Sequence, residues 1–373
     1  MKSKRQPVPI LYKLLGCVIV LMLCFILAMV FGAAETTFRD LWLALTSSSK
    51  EDNVLILREI RLPRELAAIL IGAAFAVSGA IMQGVTRNPL ADPGLLGLTS
   101  GANMALALVF VFIPGLSYFG IMVACFFGAA LGAALVILLG STRRGRLSPI
   151  RIVLAGAAVS AFLYAISEGV SIIFKISKDV SMWTTGGLIG TTWGQIQAIA
   201  PVILLGIAAA LVLSNQVSIL SLSDDVATGL GQKLVRIKAI LFILVIVLTG
   251  ASVALIGNMA FVGLMIPHIV RRFAGTDYRY VLPFSALVGA MFMLLADTLG
   301  RTIHAPYETP VVSHCSHVGL CLSSCSSCVK EAMLSHDHVR SHSQTTPDPA
   351  GRYNTNHCNG NCQYELGLFF IVV

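Results

Sequence analysis

Nine runs of about 20 apolar residues recur along this chain, at roughly 11–33, 64–86, 95–115, 118–140, 150–174, 194–214, 235–256, 258–273 and 281–300. A segment of that character crosses the hydrocarbon core of a membrane only as a helix, because every backbone N–H and C=O must there find its partner within the segment. The runs therefore confine the chain to an all-α, polytopic transmembrane bundle. The eighth run is short and polar at its end, and reads as a partial or tilted span. Composition agrees: with 56% hydrophobic and 12% charged residues, a soluble globule of 373 residues would lack the polar surface to cover itself. The first run is not read as a cleaved signal, since it is long and Gly32-Ala33-Ala34-Glu35 is a weak cleavage site.

The net charge of +8 raises the question of nucleic acid, but the basic residues sit in short loops between apolar runs, as positive-inside topology requires, and no nucleic-acid partner is expected. Lys2, Lys4 and Arg5 place the N-terminus in the cytoplasm. Alternation from there gives the cytoplasmic side Arg87, then Arg143, Arg144, Arg146 and Arg151, then Lys233, Arg236 and Lys238, then Arg271, Arg272 and Arg279. The loop at 34–63 breaks the rule: predicted outside, it carries Arg39, Lys50, Arg58 and Arg61, with Arg64 at the helix entrance. Contact with lipid phosphates and a docking surface for a partner are the two readings of these arginines.

Glycines argue for close packing of the spans. Gly72, Gly79 and Gly84 punctuate the second, Gly128 and Gly132 form a Gly-x-x-x-Gly step in the fourth, and Gly156 lightens the fifth. Small residues let backbones approach where lipid tails give no hydrophobic drive for association.

Charges within the spans are few. Glu168 and Asp297 are the main ones, and both are read as lacking an acidic or basic partner at helical spacing, whereas ion-coupled carriers hold their coupling ion with buried ionisable residues or broken helices. Gly229-Leu230-Gly231-Gln232-Lys233 has the wrong spacing for a phosphate loop, and no group of catalytic residues gathers at one depth. The chain is thus expected to be no enzyme, with any nucleotide hydrolysis in a separate subunit. Residues 214–238, predicted cytoplasmic, offer that subunit a seat: Ser223 or Asp224 caps a short helix with Val226, Ala227 and Leu230 as an apolar patch, and Gly229 and Gly231 permit a sharp turn after it. An ordinary connecting loop is the competing reading.

Four motifs occur in order: Arg61-Leu62-Pro63-Arg64; Asn88-Pro89-Leu90-Ala91-Asp92-Pro93-Gly94-Leu95-Leu96-Gly97; Asp225-Val226-Ala227-Thr228-Gly229-Leu230-Gly231; and Phe261 to Arg272, including Pro267 and His268. Together they resemble the FecCD/BtuC-type permeases of ABC importers for iron(III)-siderophores, haem or vitamin B12, over about residues 5–311. The resemblance implies a dimer of permeases with ten spans each and two ATP-binding subunits docked through the loop at 221–233, with Asp224, Asp225, Val226, Ala227, Gly229, Leu230 and Gly231 as coupling residues. It also implies an extracytoplasmic binding protein whose carboxylates meet Arg61, Arg64 and Arg301, a role that suits the two-pronged guanidinium. Asn88, Pro89, Asp92, Pro93, Gly94, Pro267 and His268 are implied structural residues. His268 has no second ligand at helical spacing, so a structural hydrogen bond is expected of it, and no metal site or cofactor is expected on this subunit.

Residues 312–373 depart from the resemblance. Six of the nine cysteines and six of the eight histidines lie there. Cys325-x-x-Cys328 and His336-x-His338 hint at a metal-binding appendage, but Cys358-x-x-x-Cys362 is a poor second half for a zinc site. The genetic code explains the segment better. If its serines use TCN codons, a one-base shift converts the Ser-Ser and Ser-Cys pairs of 321–328 into Phe, Leu, Ile, Val or Met, and Val329-Lys330-Glu331 into a residue such as Lys followed by Arg or Gly. The expected organisation is a cytoplasmic N-terminus at 1–10, a permease domain at 11–311, and an out-of-frame tail at 312–373 in place of the tenth span, with impaired transport. Iron-siderophore is the expected cargo; haem or cobalamin is the alternative, and an ion-coupled secondary transporter is a more distant one.

Overall fold

The computed structural model describes residues 10–31, 37–47, 51–140, 149–185, 187–222, 224–257, 259 and 261–303. They form an all-α bundle with no strand among them, and all lie within one compact unit, Met1–Leu322. In order the helices are α1 (Ile10–Val30), α2 (Phe38–Thr46), α3 (Asp52–Ile56), α4 (Leu62–Thr86), α5 (Leu98–Phe112), α6 (Tyr118–Gly140), α7 (Pro149–Ile173), α8 (Ser177–Thr185), α9 (Trp193–Val212), α10 (Ser214–Leu220), α11 (Asp224–Gly229), α12 (Leu234–Ile256), α13 (Val262–Ala274) and α14 (Tyr278–Thr302). A π-helical turn at Leu57–Arg61 joins α3 to α4, so one continuous helix runs from Asp52 to Thr86.

Among the described residues, seven helices are long and apolar enough to cross a membrane. Two of the nine apolar runs give shorter helices. The run at 95–115 yields α5, of 15 residues, because Gly97 takes a left-handed conformation (φ +71°) before it and Pro114-Gly115 follows it. The run at 258–273 yields α13, of 13 residues, entered through left-handed Phe261 (φ +68°). At 1.5 Å per residue both fall short of a hydrocarbon core about 30 Å thick.

α4 is the axis of the bundle, packed on α14, α13, α12 and α9, and nearly every residue from Pro63 to Val85 is buried. Its glycines explain how. Gly72 meets the backbone of Gly289 on α14, and Gly79 meets that of Gly263 on α13, so neither site has room for a Cβ. Gly101 of α5 and Gly128 of α6 approach in the same way, as do Gly97 and Gly132. The packing role read for Gly72, Gly79, Gly128 and Gly132 thus has its partners, none of which lies on the same helix. α1 has the opposite character: Leu11, Leu15, Ile19, Leu23 and Leu27 are all exposed, as suits a helix whose solvent is lipid.

Candidate docking and coupling sites

At one end of the bundle, the start of α4, the end of α14 and the end of α1 converge on a buried charge cluster. Arg64 Nε donates to Asp297 Oδ1 at 3.0 Å, and Arg301 Nε lies 3.0 Å from Asp297 Oδ2. Arg301 Nη2 also donates to the Glu65 carboxylate and, at 3.3 Å, to the carbonyl of Ala28. Arg61 Nη1 donates to the carbonyls of Met29, at 2.8 Å, and Val30, at 3.2 Å. Glu65 and Asp297 are fully buried, and Arg61, Arg64 and Arg301 are only 5%, 5% and 3% exposed. Alternating signs make such burial tolerable, since each charge's desolvation is offset by a close opposite one. A helix end adds to this, with Arg301 in the last turn of α14, where its charge complements the local helix dipole.

One expectation changes here. Asp297 is not isolated: Arg301 stands at i+4 on its own helix, a spacing visible in the sequence and overlooked in reading it, and Arg64 and Glu65 complete the cluster from α4. The three arginines expected to meet a binding protein's carboxylates are buried, bonded to two acids and to the carbonyls that end α1. Arg58 also turns inward, donating to the carbonyls of Ala44, at 2.9 Å, and Ser47 at the end of α2. Only Arg39, among the described arginines of the rule-breaking loop, stands exposed, beside exposed Trp42 on α2. That helix starts with a capping box in which Thr37 and Asp40 bond reciprocally, and the Thr37 backbone and hydroxyl bonds hold the Asp40 carboxyl below its ordinary range. Lys50 lies outside the described residues.

At the opposite end, the loop after α4 folds on itself. The Asn88 side chain accepts the N–H of Leu90 at 3.0 Å, and Asp92 Oδ1 accepts that of Gly94 at 2.7 Å. Burial pushes the Asp92 carboxyl up to about 6, with the Gly94 N–H pulling the other way. Pro93 packs against Gly263, where a Cβ would come within 2.9 Å of its ring. Pro89 sits exposed beside them. Pro267 is buried inside α13 and, lacking an N–H, leaves the carbonyl of Gly263 without its i+4 donor. The Gln83 side chain fills the vacancy, donating to Gly263 O at 3.3 Å and to Leu264 O at 3.0 Å. His268, one residue on, is exposed at the surface of α13.

α11 begins at Asp224; Ser223, the other expected cap, lies outside the described residues. Gly231 (φ +80°) ends the turn: its N–H reaches Thr228 O at 2.9 Å and the next N–H, of Gln232, reaches Ala227 O at 3.0 Å, the paired bonds of a Schellman stop. Gly229 stays helical, so only Gly231 does the turning. The expected apolar patch divides. Ala227 is fully buried, whereas Val226 and Leu230 are 46% and 62% exposed, with Leu222 beside them at 62%. Asp225 is exposed as well. α11 is thus a short helix, stopped at Gly231, that exposes Val226 and Leu230 next to Asp225.

A bundle of helices long and apolar enough to cross a membrane, tightly packed through glycines, is the architecture of a polytopic membrane protein. The chain belongs to the FecCD transport family, whose match covers residues 20–321 and so runs past the 311 boundary read from the sequence. It is 42% identical over 317 residues to the iron(3+)-hydroxamate import system permease protein FhuB of Bacillus subtilis (strain 168), covering 82% of each chain. It is 39% identical to the hemin transport system permease protein HmuU of Yersinia pestis, over 75% of this chain and 84% of that one. Among solved structures, an inward-facing conformation of a metal-chelate type ABC transporter matches with a TM-score of 0.74 and 27% identity, covering 83% of this chain and 97% of its own. The chain is accordingly a multi-pass membrane permease of the ABC importer type, a class that works with ATP-binding subunits and a substrate-binding protein and is not itself an enzyme.

Proposed function

We propose that this chain is the membrane subunit of an ATP-driven importer that carries an iron(III)-siderophore complex across the cytoplasmic membrane, with its N-terminus in the cytoplasm. The observation that carries the cargo class is the likeness to a hydroxamate permease over 82% of both chains. Iron enters this reading as substrate, already wrapped in its chelator. A haem complex is the second reading, favoured by the likeness to the hemin permease.

In this reading α11 seats the ATP-binding subunit, with Val226 and Leu230 as apolar anchors, Asp224 and Asp225 beside them, and Ala227, Gly229 and Gly231 setting the helix and its stop. A second permease, identical or paralogous, completes the pathway, and the binding protein docks at the end of the bundle that holds Arg61, Arg64 and Arg301. Arg64 and Arg301 are buried and paired, so a partner's carboxylates would reach them by displacing Glu65 or Asp297, and would reach Arg61 by displacing the carbonyls of Met29 and Val30. The division at 1–10, 11–311 and 312–373, and the out-of-frame origin of the tail, belong to the same proposal; residues 304–373 lie outside the described residues. The test is uptake of radioiron as ferric hydroxamate and of haem in cells lacking the native system. Uptake of the hydroxamate that stops on ATP depletion and persists without an ion gradient supports the reading; transport of haem alone replaces it with the second.

A further inference from the structure

Four elements meet at the α11 end of the bundle, and one hydroxyl joins two of them. Ser218 on α10 donates to Asp277 Oδ1 at 3.0 Å and accepts the backbone N–H of Tyr278 at 3.0 Å. Asp277 is the N-cap of α14, and the same oxygen accepts the N–H of Arg279 at 3.0 Å. Asn215, one turn earlier on α10, accepts a bond from Arg279 Nε. Tyr278 is buried, and its hydroxyl accepts from Arg271 Nη2 of α13 at 3.1 Å. α4 closes the group: a Cβ at Gly84 would lie 2.6 Å from Val217 Cγ1 and 3.0 Å from the Tyr278 ring.

The position of this group in the chain gives it a mechanical meaning. α10 leads directly into α11, so a displacement of α11 enters the bundle by two short routes, forward into α12 or back through α10. The second route ends on the first turn of α14, a 25-residue helix that packs along α4 and carries Asp297 and Arg301 at its far end. Apolar contact holds two helices together but is non-directional and lets them slide. A directional hydrogen bond resists sliding as well, and short side chains such as Ser and Asp leave little slack.

We propose that Ser218 is a positioning residue that, through Asp277 and the Tyr278 N–H, transmits the displacement of α11 to α14 during transport. The proposal rests on the reading of α11 as the seat of the ATP-binding subunit. The experiment reconstitutes the full chain with its ATP-binding subunit and binding protein in liposomes, and measures both ATP hydrolysis and uptake of radioiron ferric hydroxamate. Ser218→Ala keeps assembly and hydrolysis, while uptake per ATP falls at least about five-fold, within the range of measured coupling between sites. Ser218→Thr, which retains the hydroxyl, restores the ratio. Asp277→Asn, which keeps the accepting oxygen, stays near the parent, and Asp277→Ala falls as Ser218→Ala does. An unchanged ratio in Ser218→Ala, an equal fall in Ser218→Thr, or loss of the assembled complex in Ser218→Ala overturns the proposal. An unmutated complex that hydrolyses ATP with no uptake of either cargo, even when a tenth span is restored to the chain, would instead overturn the importer reading beneath it.

Discussion

The side-chain amide of Gln83 donates to the carbonyl of Gly263, 180 residues away in sequence, at 3.3 Å, and this is the acceptor that Pro267 leaves open within its own helix. The pairing binds α13 to α4 where Gly79 already brings the two backbones together. A helix defect on one element is thereby made good by a side chain on another.

Gln83→Leu should destabilise the chain by about 1–3 kcal/mol, the range for a buried acceptor stripped of its donor. Thermal unfolding of the purified protein in detergent checks this. Gln83→Glu should be no better, because a carboxylate cannot donate to a carbonyl.

Asp297→Ala should be among the most damaging single changes in the chain. It leaves Arg64 and Arg301 buried without the acid they share, and breaking a buried ion pair costs about 3–5 kcal/mol. Loss of folded protein on size-exclusion chromatography is the expected result. Thr298→Ala on the same turn, where the hydroxyl bonds only its own helix at Leu294 O, should keep the protein folded and serves as control.

Gly79→Leu should prevent α4 and α13 from closing, since even a Cβ would collide with the backbone of Gly263, which cannot retreat as a flexible side chain can. Gly169→Leu, at a glycine whose Cβ would meet nothing within 4 Å, should be tolerated. Expression and monodispersity of the two variants give the comparison.

The membrane class and the helix order were legible because apolar runs of spanning length have few alternatives once the solvent is lipid. Gly72, Gly79 and Gly128 announced close packing through their spacing, but their partners sit on other helices and no single-chain pattern names them. The charge cluster was half legible. Asp297 and Arg301 at i, i+4 were in plain view, whereas Glu65 reads in sequence as an ordinary first-turn acid until α14 is laid against α4. Burial was the harder quantity for the arginines: a basic residue at a helix entrance looks solvent-facing, and only the approach of α1 and α14 turns Arg61 and Arg64 inward. The bridge from Ser218 to Asp277 had no sequence signal beyond an acid before an aromatic helix start.

Asp92 should make stability depend on pH in a particular direction. Its carboxyl is pushed up to about 6 in the folded chain, above the ordinary value near 3.9, so the folded state holds the proton more tightly than the unfolded one. The associated stability is full below the unfolded value and is lost as pH rises through about 6. The Tm should fall across that interval. Asp92→Asn keeps the oxygen that accepts the Gly94 N–H and removes the titration, so its Tm should be flatter over the same range.

Val226→Glu with Leu230→Glu tests the seat proposed for the ATP-binding subunit. Both side chains are largely exposed, so the substitutions remove little internal packing, and surface changes of that kind usually move stability by no more than about 0.5 kcal/mol. A partner that buries these aliphatic groups would instead have to bury two carboxylates beside Asp225, at a penalty large enough to prevent stable contact. Unfolding of the purified permease should therefore be unchanged, while co-purification of the ATP-binding subunit is lost. Ala227→Glu should fail differently: that residue is fully buried on the inner side of α11, and the charge would disrupt the permease itself before any partner is offered. If the double variant still co-purifies at the parent level, the apolar face of α11 is not the contact, and the seat must be sought elsewhere on the same end of the bundle.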